Sequence, residues 1–416
     1  MSCVPSALPL AAPPAPPTAR ARLSPKAAFY LQASITVSFL AGSSAPTPLY
    51  SLYQSRWGFS ATMLTLVFGV YALAVLAALL VAGRLSDHIG RRPVLFGAIA
   101  AQLAAMGLFI SAGGVGDLLV ARVVQGLSAG AAVAAVGAGL LDLHKAHGPI
   151  ANAITPPIGT GLGAILAGAM AQYLPQPTHL VYALLGAIFV LQGVGVWLMA
   201  ETSARRAGAI ASLKPRLALA ARPRAALLLA IPALVSAWAV AGFYASLGPT
   251  LVRGLVGGGS LLVGGLTLFV LAAAAAVTTV LMRDASARNL GVAGAAALVA
   301  GVAVAVASLS SHSPAAFFAG TAIAGAGFGA AFQGAIRSIA GEAAPHERAG
   351  VLSVAFVVSY LAMGLPAIVA GYFVTRQGNI DATAREFAAA VVALALFALA
   401  NALRPPRAAS TATRLE

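Results

Sequence analysis

The sequence predicts an all-α membrane protein with twelve transmembrane helices arranged as two pseudo-symmetric six-helix bundles. Three observations support this fold class: the composition, a series of long apolar segments and an internal repeat. Charged residues make up 8% of the 416 residues, hydrophobic residues make up 60%, and the mean hydropathy is +0.91. Soluble proteins carry about 25% charged residues, so the composition excludes a soluble enzyme, a disordered chain and a coiled coil.

The apolar segments are long enough to cross a bilayer, which requires about 20 apolar residues. We number them as spans 1 to 12, and they cover residues 27–53, 62–83, 93–112, 118–143, 150–174, 180–200, 225–252, 261–282, 290–310, 314–340, 351–374 and 387–403. Pro46 and Pro48 are expected to bend span 1. Residues 1–26, rich in proline and alanine, are predicted to be a disordered cytoplasmic tail, and residues 404–416 a second cytoplasmic tail.

The second half of the chain repeats the first at a shift of 199 residues. The shift places the segment GLSAGAA, which begins at Gly126 in span 4, on the segment GAGFGAA, which begins at Gly325 in span 10. It also aligns the starts of spans 1 and 7. The repeat predicts six-helix bundles at 27–200 and 225–403, joined by a basic cytoplasmic linker at 201–224. Parallel repeats of this kind build transporters whose site lies between the two halves.

The basic residues are distributed unequally between the two sides of the predicted membrane. Of the 25 lysine and arginine residues, twenty lie in segments on the side of the N-terminus and four in the opposite loops, while Arg122 lies inside span 4. Because cytoplasmic loops are enriched in basic residues, we expect an inner-membrane protein with both termini in the cytoplasm. This distribution explains the net charge of +15 without a nucleic-acid partner. The expected partners are the lipid bilayer and a small-molecule substrate, and a monomer is expected.

The loop between spans 2 and 3 carries the strongest motif, GRLSDHIGRRP, at residues 83–93. Its glycines permit a tight turn, and Asp87 should stay ionised among the arginines. The loop resembles the signature motif of the major facilitator superfamily, Gly-x-Leu-Ser/Ala-Asp-Arg/Lys-x-Gly-Arg-Arg/Lys, and departs from it at His88. The predicted conformational switch consists of Gly83, Asp87, Gly90, Arg91 and Arg92.

The resemblance covers residues 27–403 and implies the major facilitator fold, with secondary active transport of a small organic solute by alternating access. It also implies that Asp87 faces the start of span 11, near Val351, while the cytoplasmic side is closed. A contact made in one state alone would bias the conformational equilibrium.

Span 4 contains a second motif, in which Arg122 is followed by Gln125 and Gly126. It resembles the Arg-x-x-Gln-Gly motif of the same superfamily, and the resemblance implies a role for Arg122 and Gln125 in substrate binding or energy coupling. A buried guanidinium must find acceptors in the protein interior. In the alternative interpretation, Arg122 extends outward to the lipid headgroups near Asp117.

Span 5 contains Thr155-Pro-Pro-Ile-Gly-Thr-Gly-Leu-Gly163. The drug–proton antiporter branch usually has Gly-Pro-x-x-Gly-Gly here, and this sequence has the same residue types at a different spacing. It is therefore closest to the twelve-span antiporter-like branch, with the branch left open. The small residues serve either close helix packing or an antiporter-type hinge.

Polar and aromatic side chains within spans 1, 2, 7, 10 and 11 are candidates for the wall of a central cavity, because those spans line the cavity in the family that the sequence resembles. The candidates are Ser43, Thr47, Tyr50, Tyr71, Trp238, Tyr244, Gln333 and Tyr360. In the alternative interpretation these side chains serve helix packing and anchoring at the membrane interface.

All ten acidic residues and all six histidines lie in loops, in tails or at span ends. Protons are the candidate coupling ion, yet a proton carrier needs a titratable group, and arginine stays protonated. Three alternatives remain: titration of Asp87 or Asp142, a substrate that carries the proton itself, or uniport. We favour coupling through the substrate or by another indirect route. The single Cys3 excludes an internal disulfide, and neither a metal nor another cofactor is expected.

The function predicted from these observations is proton-linked export of a drug or metabolite, which the short loops and span 5 favour. The alternative is uptake, or uniport, of a nutrient or organic anion. A membrane-embedded enzyme is a remote third alternative, because the sequence contains no polar catalytic cluster at one membrane face. A phosphate-binding loop of the form Gly-x-x-x-x-Gly-Lys-Ser/Thr is absent from the sequence as well, which argues against a drive by ATP.

Overall fold

The computed structural model describes residues 23–213, 221–344 and 347–404, and these are almost entirely helical. Most of both predicted tails and the middle of the predicted linker lie outside the described residues. In the described ranges, eleven helices are long and apolar enough to cross a membrane. They correspond to predicted spans 2 to 12, and span 1 is built from two helices.

The N-terminal half contains eight helices. They are Pro25–Ser44 (α1), Pro46–Trp57 (α2), Ala61–Ala82 (α3), Ser86–Ile89 (α4), Arg91–Ile110 (α5), Val115–Leu143 (α6), Gly148–Tyr173 (α7) and Pro177–Leu198 (α8). Helices α1 and α2 together form span 1, α3 forms span 2, and α5 to α8 form spans 3 to 6. The single turn α4 lies in the loop between spans 2 and 3.

The remaining helices belong to the linker and the C-terminal half. They are Ala209–Ser212 (α9), Ala221–Ser246 (α10), Gly248–Val256 (α11), Leu261–Leu281 (α12), Ala287–Ser311 (α13), Pro314–Gly341 (α14), Arg348–Gln377 (α15) and Ile380–Leu403 (α16). Helix α9 lies in the linker, α10 and α11 form span 7, and α12 to α16 form spans 8 to 12.

Span 12 begins seven residues earlier than its predicted start at 387. The Asn379 side chain accepts a hydrogen bond from the backbone N–H of Ala382 at 3.0 Å, which caps the helix. Asp381 lies in the first turn, where a carboxylate is favoured by the helix dipole. The polar first turns therefore belong to the helix, although their polarity predicted that they lie in the preceding loop.

The first span of each half is broken in its second part. Span 1 breaks at Ala45, before Pro46, and span 7 breaks at Leu247, before Gly248 and Pro249. Proline has no N–H to donate to the carbonyl four residues earlier. By contrast, α7 continues as one helix through the prolines of span 5.

Span 1 also carries polar side chains, and span 6 provides a partner for two of them. The amide nitrogen of the buried Gln192 in span 6 donates to the hydroxyl oxygens of Ser34, which is exposed, and of Ser38, which is partly buried, at 3.2 and 2.8 Å. Gln32 and Thr36 of span 1 are buried. This polar character separates α1 from the eleven strongly apolar helices of the described chain.

The repeated glycine motifs make equivalent contacts in the two halves. A Cβ atom on Gly126 would lie 2.6 Å from the Cβ of Ala74 and 2.7 Å from the carbonyl oxygen of Tyr71, both in span 2. A Cβ atom on Gly325 of span 10 would overlap the backbone of Leu271 in span 8. Spans 2 and 8 are repeat partners, as are spans 4 and 10, so the motif holds the same helix pair together in each half.

Two helix pairs form much of the contact between the halves: span 2 packs on span 11, and span 5 packs on span 8. We call the end of the molecule that carries residues 201–213 the linker end and the opposite end the distal end. Gly69 and Gly371 lie in the first contact, and Gly161 and Gly168 in the second. These close approaches run from the middle of the spans to the distal end.

Hydrogen bonds between the halves cluster in the distal part. The backbone N–H of Thr62 in span 2 donates to the hydroxyl oxygen of Thr375 in span 11 at 3.0 Å. The backbone N–H of Leu261 in span 8 donates to the side-chain oxygen of Gln172 in span 5 at 2.9 Å. Residues 62 and 261 are related by the 199-residue repeat. The backbone N–H groups in the first turns of spans 2 and 8 are therefore equivalent, and each donates to a side chain of the opposite half. We call these two contacts the distal caps.

Candidate functional site

Arg122 is completely buried, with an exposed fraction of 0%. Its Nη1 donates to the carbonyl oxygen of Ser43 at 2.8 Å and to Oε1 of Gln125 at 2.7 Å. Its Nε donates to the hydroxyl oxygen of Tyr50 at 3.0 Å, and its Nη2 donates to the same oxygen. The guanidinium carbon lies 5.0 Å from the centre of the Tyr71 ring, within the range of a cation–π interaction.

The break in span 1 creates part of this site. In a continuous helix, residue 46 would donate its N–H to the carbonyl oxygen of Gly42, and Pro46 has no N–H to donate. The side-chain amide of Gln125 takes that place and donates to the Gly42 oxygen at 2.9 Å. Arg122 and Gln125 of span 4 therefore bind consecutive carbonyl groups of span 1, next to its break.

In the described chain, all of the hydrogen-bond partners of Arg122 are neutral. The ion pairs of the described chain involve Arg91 and Arg283. Asp117, which the outward interpretation placed near Arg122, accepts a hydrogen bond from the backbone N–H of Gly113 at 2.8 Å. The site is thus a buried positive charge surrounded by hydroxyl, amide and carbonyl oxygens, a chemistry suited to an anionic or strongly polar group.

The structure brings together five of the predicted residues, Ser43, Tyr50, Tyr71, Arg122 and Gln125. Thr47 contacts the other half instead, because its hydroxyl donates to the carbonyl oxygen of Ala245 at 3.0 Å. The hydroxyl of Tyr244 lies 3.1 Å from that of Thr321. Tyr244 also lines an apolar cavity of about 40 Å³ within the C-terminal half, apart from Arg122 and its partners.

The other three predicted lining residues belong to spans 7, 10 and 11. The ring centres of Trp238 and Tyr360 are 5.3 Å apart. The indole Nε1 of Trp238 and the side-chain Oε1 of Gln333 are buried without a hydrogen-bond partner in the described chain. Tyr360 also packs against the core of the N-terminal half, so it lies where the two halves meet.

At the linker end, Arg91 is the centre of an ionic network. Its Nη1 lies 2.5 Å from Oδ1 of Asp87 and 2.7 Å from the hydroxyl of Ser86. Its Nε lies 3.2 Å from Oδ2 of Asp142, at the end of span 4. The Arg91 side chain is buried, whereas that of Asp87 is 49% exposed. Asp87 therefore has surface available for a further contact.

Glu201, at the start of the linker, caps span 3. Its carboxylate accepts hydrogen bonds from the backbone N–H groups of Arg91 and Arg92 at 2.7 and 3.1 Å. Gly90 has a φ of +102°, and a Cβ atom there would overlap the carboxylate of Glu201. Glycine is therefore required at position 90 for two reasons: the backbone has a positive φ, and the Glu201 carboxylate lies where a Cβ atom would be. Gly83, at the end of span 2, likewise has no room for a side chain beside the Leu79 carbonyl.

Arg92, which follows Arg91, and His88, which follows Asp87, each bind a further part of the protein. Arg92 donates to the carbonyl oxygens of Val196 and Trp197 at 3.2 and 2.6 Å, which caps the end of span 6. His88, the departure from the family motif, holds the linker: its Nδ1 lies 3.1 Å from the Ala207 carbonyl oxygen, and its own carbonyl accepts from the Arg206 N–H at 2.8 Å. A polar cavity of about 370 Å³ lies between this loop, span 4 and the linker.

Four contact residues were not predicted from the sequence: Glu201, which binds the loop between spans 2 and 3, and Gln172, Thr62 and Thr375, which connect the halves. For Glu201 a signal existed, since it is an acid at a span end that the topology places on the same side as three arginines. Neutral residues such as Thr375 gave no signal. No group of three or more potential metal ligands occurs in the described ranges.

The expected contact between Asp87 and span 11 gives a testable consequence. The Asp87→Asn variant should transport about tenfold more slowly at near-normal expression, since contacts made in one state shift equilibria by about 1–3 kcal/mol. Asp284→Asn is the matched control, because Asp284 lies in the equivalent loop of the second half and pairs with Arg283 in a highly exposed position. Equal rates in the two variants would remove Asp87 from the mechanism. Purified protein in liposomes allows the measurement.

The helices, the repeat and the buried polar interior define the class of the molecule: a multi-pass helical membrane protein of two related six-span halves. Residues 33–367 match the Major Facilitator Superfamily. The chain belongs to this superfamily, and it is a transporter rather than an enzyme. No curated protein sequence is similar enough to count as a relative.

Solved structures share the fold at low sequence identity. The nucleoside transporter NupG is 13% identical, with a TM-score of 0.66, over 91% of this chain and 100% of that one. A bacterial homologue of the human lysosomal transporter Spinster, in an inward-facing and unoccupied conformation, is 14% identical, with a TM-score of 0.70, over 91% of this chain and 95% of that one. These similarities concern the fold alone.

Proposed function

We propose that the protein is a secondary transporter of the inner membrane that exports a small organic solute, a drug or a metabolite, by alternating access in a proton-linked cycle. Its termini and the linker lie in the cytoplasm, and it acts as a monomer. The observation that carries the proposal is Arg122, a buried cation with neutral partners, which lies beside the break of span 1. Such a charge inside a membrane bundle is costly and marks a substrate or ion pathway.

The arrangement of the two halves supports alternating access. The distal caps and the close glycine contacts hold the halves together from the middle of the spans to the distal end. The Asp87 loop lies at the opposite end, with its carboxylate half exposed. In the proposed orientation this is a conformation closed toward the outside, and rocking the halves would exchange the distal contacts for contacts at the linker end.

Proton linkage through the substrate is consistent with the charges in the interior. Among the described residues, the buried charged side chains are those of Arg91 and Arg122, and both are cations. An acidic solute that releases its proton in the cytoplasm, crosses as an anion stabilised by the charge of Arg122, and takes up a proton outside would in net terms exchange one exported molecule for one proton moved inward. Asp87 and Asp142 remain the candidate groups for a proton carried by the protein, because both lie in the network at the linker end.

Transport in membrane vesicles of known orientation tests the direction. Everted vesicles energised with a proton gradient should accumulate a radiolabelled solute chosen from a growth and susceptibility screen, and right-side-out vesicles should not. The same lack of a buried carboxylate that favours linkage through the substrate also favours the second candidate function, uptake or uniport of an organic anion. Accumulation in right-side-out vesicles alone, or equilibration without a gradient, would establish that alternative.

The proposed topology is tested by labelling single cysteines after Cys3→Ser. A membrane-impermeant maleimide added to intact cells should label Gly258→Cys, in the loop between spans 7 and 8, and should leave Ala204→Cys in the linker unlabelled. Both positions are exposed, and a Cβ atom at Gly258 meets no other atom within 4 Å. Permeabilised cells provide the control, because both positions should then react. Labelling of Ala204→Cys from outside would reverse the orientation.

The distal caps are expected to stabilise the conformation closed at the distal end. Replacing Thr375 by valine together with Gln172 by leucine removes three hydrogen bonds between the halves, two from backbone N–H groups and one from the Thr62 hydroxyl, each worth about 0.5–1.5 kcal/mol. The population open at the distal end should therefore rise about tenfold. Accessibility of a cysteine near that end, or the distance between spin labels across it, reports the shift. Thr178→Val is the control, since its recorded hydrogen bond stays within the N-terminal half; an equal shift in that control would contradict this role.

A further inference from the structure

Trp238 of span 7 carries a hydrogen-bond donor that the protein itself does not use. Its indole Nε1 is buried, and no acceptor lies within hydrogen-bond distance in the described chain. Indole can only donate, and buried donors in native proteins almost always have a partner. This N–H is therefore available to an acceptor on a bound molecule.

Four further aromatic side chains belong to the same group as Trp238, and we call the five together the aromatic cluster. Its members are Trp238, Phe328, Phe332, Phe356 and Tyr360. The rings of Phe328 and Phe332 stand at steep angles to the indole, with centres 5.7 and 5.4 Å from it. All five side chains are only partly buried. The cluster thus combines accessible ring surface with a buried donor.

The cluster lies at the boundary between the halves. Tyr360 packs against the core of the N-terminal half, and that core includes Tyr71, whose ring lies under the Arg122 guanidinium. Spans 7, 10 and 11 supply the aromatic cluster, and spans 1, 2 and 4 supply the polar site around Arg122. A solute between the halves would therefore meet ring surface from one half, and in the other half the charge of the buried Arg122 lies 5.0 Å from the centre of the Tyr71 ring.

We infer that the solute contains a planar aromatic or heteroaromatic ring with a hydrogen-bond acceptor, and that the aromatic cluster binds this ring while Trp238 donates to the acceptor. The inference rests on the proposed transport function and specifies the substrate class of the same site. Aromatic rings prefer offset or edge-to-face contact with one another, which a flexible saturated ring cannot provide. The interior offers Arg122 and no buried carboxylate among the described residues, so the solute is neutral or anionic rather than cationic.

Binding of matched ring pairs tests this inference. The background is Trp57→Phe with Trp197→Phe, which leaves Trp238 as the single tryptophan of the chain. The probes are benzoate against cyclohexanecarboxylate, benzamide against cyclohexanecarboxamide, and 1-naphthoate against its fully saturated analogue. Each pair keeps its acceptor group and its approximate size while changing the ring. Quenching of Trp238 fluorescence and the rise in Tm of the purified full-length protein report binding.

At least one aromatic probe should bind about fivefold more tightly than its saturated partner, which is the range expected for ring–ring contact. Trp238→Phe, which keeps a ring and removes the N–H, should reduce the Tm shift by that probe. Tyr244→Phe, a ring outside the cluster, should leave it unchanged. Equal binding of both members in every pair, or no binding of any aromatic probe up to its solubility limit, overturns the inference.

Failure of this inference is distinguishable from failure of the proposed function. Accessibility of cysteines at the two ends reports alternating access without any reference to ring chemistry. If the ends alternate and the ring pairs show no preference, the substrate class is wrong and the transporter assignment stands. If neither end changes its accessibility under a gradient or with any probe, the proposed cycle itself is wrong.

Discussion

Replacing Arg122 by lysine is expected to reduce transport to background. The guanidinium holds Tyr50, Ser43 and Gln125 at once through three nitrogen atoms. The lysine ammonium is a single point that cannot match this geometry. Buried polar groups left without a partner cost about 1–3 kcal/mol each, so the site should rearrange even though the charge remains. Solute flux in proteoliposomes and the Tm of the purified protein measure the two effects.

The control for this change is Arg56→Lys, an arginine in an exposed position on α2 of the same half. It should transport at the wild-type rate, because no buried network depends on it. Tyr50→Phe separates geometry from charge, since it removes the hydroxyl that accepts from both Nε and Nη2 and leaves Arg122 in place. A wild-type flux for Arg122→Lys would show that the hydrogen-bonding geometry of Arg122 is dispensable.

The second large effect is expected in the packing of span 4. Gly126→Val should prevent the N-terminal half from assembling, because even its Cβ atom would lie 2.6 Å from that of Ala74 and 2.7 Å from the carbonyl oxygen of Tyr71. Backbone atoms cannot move aside as a flexible side chain can, so the expected loss is about 3 kcal/mol or more. Gly325→Val should behave alike, since it meets the backbone of span 8.

The matched control is Gly107→Val in span 3, where a Cβ atom meets nothing within 4 Å. Yield of monodisperse protein after size-exclusion chromatography and the Tm distinguish the variants. Gly107→Val should match the wild type in both measurements. Folding of Gly126→Val with an unchanged Tm would show that spans 2 and 4 are not held together by this contact.

The features that the sequence predicted well are those with a local or periodic signal. Long apolar segments determine where helices cross the membrane, and eleven of the twelve predicted spans are strongly apolar helices. The position of Arg122 inside an apolar segment predicted a buried site, because such a charge needs partners. The carbonyl groups of span 1 that bind Arg122 and Gln125 were less predictable, since they depend on where Pro46 breaks the helix and leaves a carbonyl without its N–H partner.

Contacts between distant parts of the chain gave no comparable signal. Thr62 and Thr375 are 313 residues apart, and both are ordinary residues at helix ends. Tyr244 was predicted to line the central cavity for a similar reason. Its position along span 7 is that of a lining residue, but the orientation of the helix directs its hydroxyl toward Thr321 within the same half. Periodicity predicts which residues share a face of a helix, and the packing of the whole bundle decides what that face meets.

The polar first span has a consequence for how the protein enters the membrane during synthesis. Its buried Gln32 and Thr36, and the carbonyl of Gly42, would face lipid when span 1 leaves the ribosome ahead of the others. Partners for two of these groups are made only later, when Gln125 of span 4 binds the Gly42 carbonyl and Met199, at the end of span 6, accepts a hydrogen bond from Gln32. We therefore expect the first helix to be made to be among the last whose buried polar groups gain their partners, after the sixth helix has been inserted.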